Sequence, residues 1–337
     1  MTEGIDNKKP LSDHLAEDTD KGSHGKVPLD DRLGRHTKAK LRLGEMVSYL
    51  DSISHTDHLA KDLHSRIKDC CSYLLFHNYF RIDQTKLVTA NFCKKHLVCP
   101  ACAMRRGGKA LRTLSERFDS ILQGNPELVP WLVTITVKNG ADLRERFTHL
   151  NNGITTLIRR RRNDIARGTS LSQLSQVTGG FGSFELTYSE STYWHPHYHS
   201  VMLLPAGEKI DPVALSKEWH EITGDSFIVD ARRLTLGEDN TFIKSFLEVT
   251  KYALKFSDMT PELNFEAFKS LRGKRLFRSF GDFFGLKIPD DYSDHNAYLD
   301  DEPYIELIYS WMHHNNYSLT KVITEEDRYE EEKQEAN

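Results

Sequence analysis

No stretch of this sequence approaches the roughly 20 consecutive apolar residues that cross a bilayer, which excludes a membrane-spanning helix as its organising element. The first residues, MTEGIDNKKPLSDHLAEDTDKGSHGK, have no apolar core of the signal-peptide kind, so export is not expected. Large apolar side chains are almost missing from residues 1–40, which therefore cannot offset the entropy of ordering and read as a disordered N-terminal arm. Cysteine is scarce and confined: there are five, all between Cys70 and Cys102. In the reducing cytoplasm, the localisation these absences imply, such a cluster points to metal ligation rather than disulfides. No internal repeat is present. Lys and Arg are absent from Asp290 to Pro303, which holds 6 acids, whereas Lys86 to Gln176 holds 16 Lys/Arg against 6 Asp/Glu. The formal net charge of −4 hides that local positive excess, which is an electrostatic footprint suited to phosphate.

What is present reads as α+β, a central antiparallel sheet with helices, preceded by a helical Cys-rich segment. Residues 41–124 form that segment: Leu43, Met46, Val47 and Leu50 have helical spacing, as do Leu59, Leu63 and Ile67 in a second helix leading to Cys70 and Cys71. Lys86–Phe92 is a short strand, and Leu111, Leu114, Phe118, Ile121 and Leu122 mark an amphipathic helix ending at Gly124. Residues 125–288 hold the clearest strand, Pro130–Asn139, rich in β-branched residues and closed by Asn139-Gly140. A helix follows and ends in Arg159, Arg160, Arg161 and Arg162, which are either a solvated face or phosphate contacts. Residues 289–337 form an acidic segment and a charged tail.

The chemistry concentrates in Tyr193–Pro205. Alternation along a strand projects His195, His197 and His199 from one face, either a metal site or a histidine-rich solvent edge. Gly179–Tyr188 is the preceding strand, and a hairpin centred near Ser191 predicts Glu185 opposite His197, as a metal-site carboxylate or a surface ion-pair partner. A later helix, about Asn240 to Asp258, carries Glu248 and Tyr252 on one face with Lys251 and Lys255 nearby. Cys93, Cys99 and Cys102, with Cys70 or Cys71, supply thiolates for a structural Zn²⁺ site, with His96 as an alternative ligand, or else pack as small hydrophobes.

In combination these blocks resemble the plasmid rolling-circle replication initiators, the plasmid Rep branch of the HUH endonucleases. The resemblance runs from about Cys70 to Gly285: the cysteine block Phe92–Arg106, the strand Trp131–Asn139, His195-Pro-His-Tyr-His199, Glu248–Asp258, and Leu271–Gly281. The cysteine block departs slightly in having five residues between Cys93 and Cys99. The resemblance implies the HUH palm fold and a Mn²⁺ or Mg²⁺ ion held by His197 and His199, with Glu185 or His195 completing the protein ligands. It further implies nicking of one strand at a plasmid double-strand origin, presented single-stranded or as a hairpin, by Tyr252 with a 5′-phosphotyrosyl intermediate. Glu248 would then be the general base of the terminating cleavage, Lys255 would stabilise charge on the reacting oxygen, and Lys251 would contact phosphate. Host helicase and replication machinery are the implied protein partners, with homodimerisation left open. A mobilisation relaxase or transposase of the HUH class, or a non-catalytic DNA-binding copy-control protein, are the alternatives.

Overall fold

The computed structural model describes residues 28–234, 246, 249, 259–294, 299 and 302–335. The chain is α+β and forms two compact units that divide at Lys109/Ala110 and again at Ile288/Pro289. Among the described residues no helix is long and apolar enough to cross a membrane.

The unit between those divisions is built on a five-stranded antiparallel sheet. Its order is β6 (Val229–Arg233), β3 (Leu128–Thr136), β5 (Tyr193–Pro205), β4 (Gly179–Ser189) and β7 (Phe277–Gly281). Strands β4 and β5 form the hairpin, closing at Ser189 opposite Tyr193, so β5 is central, with β3 on its other side. Tyr193 takes the left-handed φ of 61° that lets so short a connection reverse. One sheet face packs under α4 (Leu143–Arg167), α5 (Pro212–Thr223) and α6 (Pro261–Leu271). Helix α5 begins as its residues dictate: Asp211 accepts from the Val213 and Ala214 amides, Pro212 needs no donor, and Gly224 ends it at φ 76°. Its Trp219 donates to the Thr136 carbonyl at 2.7 Å and lies against Gly153 of α4, where any Cβ would be 2.4 Å from the indole. On the same face the fully buried Tyr198 leans across Gly182, where a Cβ would come within 2.5 Å of the phenol ring.

The opposite face is divided along its strands. At one end Leu132, Phe181, Val201 and Leu203 are covered by Leu111, Leu114 and Phe118 of α3 (Pro100–Gly124), together with Phe246, Val249 and Phe283. The other end of that face carries the histidines. Helices therefore flank both faces, and Phe246 and Val249, from the stretch read as the tyrosine helix, lie on the histidine-bearing side.

The other unit holds α1 (Leu29–Ile53), α2 (His58–Ile67), the start of α3 and a four-stranded antiparallel sheet. The order of that sheet is β2 (Gln84–Ala90), β1 (Tyr73–Tyr79), β8 (Ile305–Met312) and β9 (Asn316–Ile323), and α7 (Glu325–Glu335) follows its last strand. Two features differ from the sequence expectation. Helix α1 starts at Leu29, inside the stretch expected to be a disordered arm, because polar side chains hold it: His36 is buried, and the buried Lys40 ammonium donates to the Cys70 carbonyl at 2.6 Å. The stretch expected to be an acidic segment and tail contributes β8 and β9, and its acids face cations of the same unit. Asp294 pairs with Arg32 and Arg105, Asp290 with Arg106 at 2.9 Å, and Asp291 with Lys109 at 3.6 Å.

Candidate functional site

The pairing of β4 with β5 sets Glu185 opposite His197 and Ser183 opposite His199, while β3 sets Thr136 and Thr134 against the same two histidines. All six side chains leave one face of the sheet because registered neighbours share a side. The rings of His195 and His197 lie 4.3 Å apart and those of His197 and His199 5.5 Å apart. Glu185 is only 3% exposed, and a carboxylate so buried requires a partner; its Oε2 lies 2.9 Å from His199 Nε2. The other ring nitrogen, Nδ1, lies 3.0 Å from the Thr134 hydroxyl. His195 is half-buried, and burial lowers its pKa.

Two imidazoles beside a buried carboxylate form a nitrogen and oxygen donor set that suits Mn²⁺ or Mg²⁺ with phosphate oxygens, and does not exclude Zn²⁺. These atoms are not drawn together as tightly as a closed ligand cage. Among the described residues the cluster whose ligand atoms all lie within 4.8 Å of one another is made of cysteines. The Tyr198 phenol projects to the other face, and burial pushes its pKa up, which is the opposite of what a nucleophile needs.

Glu248, Lys251, Tyr252 and Lys255 lie outside the described residues. The nearest described residue of that stretch is Val249, whose carbonyl accepts a 2.6 Å bond from the buried Ser183 hydroxyl, on the strand position opposite His199. Sequence reasoning alone misses Ser183, Thr134 and Thr136. Alternation with Ile135 and Val137 marks the strand, and the polar half of that alternation is the signal that could have found the threonines.

The four arginines separate. Arg161 is buried, donating from Nε to the Val177 carbonyl and from Nη2 to the Thr178 carbonyl, both at 2.6 Å, and stacking 5.2 Å from the Phe280 ring centroid. Arg160 faces Glu218 and Glu221, each at 3.5 Å. Arg159 and Arg162 are exposed. Helix α4, which carries all four, packs on the sheet face opposite the imidazoles, with Phe147 5.2 Å from Phe184.

The quartet of close cysteines is Cys70, Cys93, Cys99 and Cys102, which could hold a metal ion; Cys71 stands outside it. Cys99 immediately precedes α3 and Cys102 lies in its first turn, and Cys93 reaches them through Lys94, whose φ is 58°. The sulfurs of Cys70 and Cys102, Cys70 and Cys99, and Cys93 and Cys102 lie 3.6, 3.6 and 3.5 Å apart. Four thiolates about 2.3 Å from zinc would sit about 3.8 Å apart, so the spacing fits. Packed thiols cannot all ionise without a cation. Hydrogen bonds from Cys102 and the other neighbours hold the Cys70 thiol far below its ordinary range, while bonds with Cys102 and Cys70 push Cys99 up and bonds with Cys70 and Cys93 push Cys102 up.

Residues 84–302 match the family described as Replication protein, Rep_1. The curated Protein rep of Streptococcus pneumoniae serotype 2 (strain D39 / NCTC 7466) is 28% identical over 182 residues, 50% of this chain and 53% of that protein. The chain thus spans about half the length of this curated relative. No solved structure matches.

Proposed function

The chain belongs to the Rep_1 replication protein family, and from that premise we propose that it initiates rolling-circle replication of a plasmid by nicking one strand at the double-strand origin. The Tyr252 phenol attacks the scissile phosphorus, a Tyr252 Oη–P bond forms, the P–O3′ bond breaks, and the freed 3′-OH primes synthesis. A phenol with an ordinary pKa of about 10 is a weak nucleophile at neutral pH, so its site must assist. His197, His199 and Glu185 would hold a divalent ion, which supplies Lewis-acid polarisation of a non-bridging phosphate oxygen. Glu248 takes the proton of the water that ends the cycle: the water oxygen forms a bond to phosphorus at the regenerated site, the P–O3′ bond breaks, and a free 3′-OH is left. Lys255 and Lys251 offset negative charge on the reacting oxygen and the phosphate backbone, and Arg159 and Arg162 are the arginines of their cluster left to meet DNA. The cysteine quartet would hold structural zinc.

The observation that carries this reading is the bond from Ser183 to Val249, which ties the strand position opposite His199 to a residue less than a helical turn ahead of Tyr252 in the sequence. The test is incubation of the full chain with a supercoiled plasmid bearing its own replicon's origin and Mn²⁺ or Mg²⁺. Wild type is expected to nick and retain the 5′ end covalently, and Tyr252→Phe to form no adduct; an adduct in that variant removes Tyr252 as nucleophile. Glu248→Ala should nick normally but fail at terminal release, and equal loss of both steps would refute its role.

A further inference from the structure

Strand β3 presents Thr134 and Thr136 on the histidine face and buries Val133 and Ile135 on the other, yet nicking as proposed uses neither threonine. Thr134 lies opposite His199 in register, and its hydroxyl is 3.0 Å from Nδ1 of that ring. Nε2 of the same ring is 2.9 Å from Glu185, so the two imidazole nitrogens face two different kinds of partner.

We propose that Thr134 is the positioning residue that holds the His199 ring through Nδ1 in either tautomer and aims its Nε2 at the metal site. This rests on His199 being a metal ligand. With Glu185 ionised and no ion bound, the ring keeps its proton on Nε2, donating to the carboxylate, and Nδ1 accepts from the Thr134 hydroxyl. When Nε2 is used for a metal, the single ring proton must sit on Nδ1, and there it needs an acceptor. A hydroxyl both donates and accepts, so Thr134 can serve both arrangements without moving. A carboxylate could only accept and an ammonium could only donate. The β-branch of threonine adds a second control, because it restricts χ1 on a strand and keeps the oxygen on the ring's line.

Nearly isosteric Thr134→Val removes the hydroxyl and Thr134→Ser keeps it. Mn²⁺ binding would be measured by electron paramagnetic resonance titration on the full chain, and the His199 tautomer by long-range ¹H–¹⁵N correlation. Thr134→Val is expected to weaken Mn²⁺ binding by about 10- to 100-fold, the range for losing a partner of a ligating histidine. It should also shift the ¹⁵N resonance of Nδ1 in the metal-free ring, which loses the hydroxyl's bond, while Thr134→Ser stays within about threefold of wild type. Thr134→Val binding Mn²⁺ as tightly as wild type, or Thr134→Ser falling as far as Thr134→Val, would overturn the role. His197→Ala separates this from failure of the metal reading itself. If wild type binds Mn²⁺ no better than His197→Ala, the site is not a metal site; if it binds much better, the Thr134 comparison decides.

Discussion

Replacing Arg161 with Met should unfold the unit built on the five-stranded sheet earlier and leave the salt dependence of duplex binding unaltered. The methionine keeps most of the apolar stem, so what disappears is the guanidinium, its two 2.6 Å bonds to the Val177 and Thr178 carbonyls, and its place over Phe280. A bond from a charged donor contributes about 1.5–3 kcal/mol, and a cation over a ring about 1 kcal/mol. Against this, burial works on the guanidinium, lowering its pKa with Asp282 opposing, and that desolvation cost disappears with the charge. The two carbonyls at the entry to β4 remain and lose their partner. A net destabilisation of about 2–4 kcal/mol is expected, which for a unit of this length is a fall in Tm of about 4–16 °C. The assay is thermal unfolding by circular dichroism, paired with a salt titration of duplex binding by fluorescence anisotropy. Arg159→Ala with Arg162→Ala is the matching control: Tm unchanged, but a shallower slope of log affinity against log salt, by about 0.9 for each phosphate no longer neutralised. A Tm within about 2 °C of wild type for Arg161→Met, or a salt slope altered by that variant as much as by the double variant, would refute the division of the cluster.

Two further outcomes are expected. Burial, with Arg105 and Arg32 adding to it and Asp294 opposing, holds the folded-state pKa of His36 down to about 3 from an ordinary 6.5. Unfolding then takes up a proton below 6.5, so stability is full above that pH and drains away as pH falls toward 3, by a few kcal/mol at about 1.4 per unit; urea melts of wild type and His36→Leu between about pH 7 and 4 should converge in slope if another group is responsible. Cys99→Ser should lose zinc measured by elemental analysis and Cys71→Ser should keep it, and equal loss in both would move the ligand set off Cys70.

The hairpin is legible in the sequence because its two signals are local. Alternating side chains fix the face, and the Ser189–Thr192 turn fixes the register that puts Glu185 opposite His197. Strand β1 leaves no such mark, and β8 stands out only as an apolar element, because they pair with each other across some 230 residues and neither shows clean alternation. Hydropathy starts helix α1 too late because it cannot register His36 and Lys40 as interior residues; what buries them is a neighbouring backbone carbonyl and a charge cluster. The same blindness groups four arginines that differ only in what lies beside them. Choosing Cys70 over Cys71 depends on the chain turning at Cys71, where φ is 55°, and adjacent identical residues hold no trace of that.

The contact of Tyr198 with Gly182 acts as a proofreader of strand pairing. A hairpin slipped by one residue would drive the imidazoles into the face that Phe147 and Trp219 fill and turn the phenol toward the other side. The aromatic ring between the two histidines has its clearance where β4 lacks a Cβ. Correct pairing is thus checked by shape on the side of the sheet opposite the imidazoles. A side chain on one face of the sheet thus decides which way the imidazoles on the other are pointed.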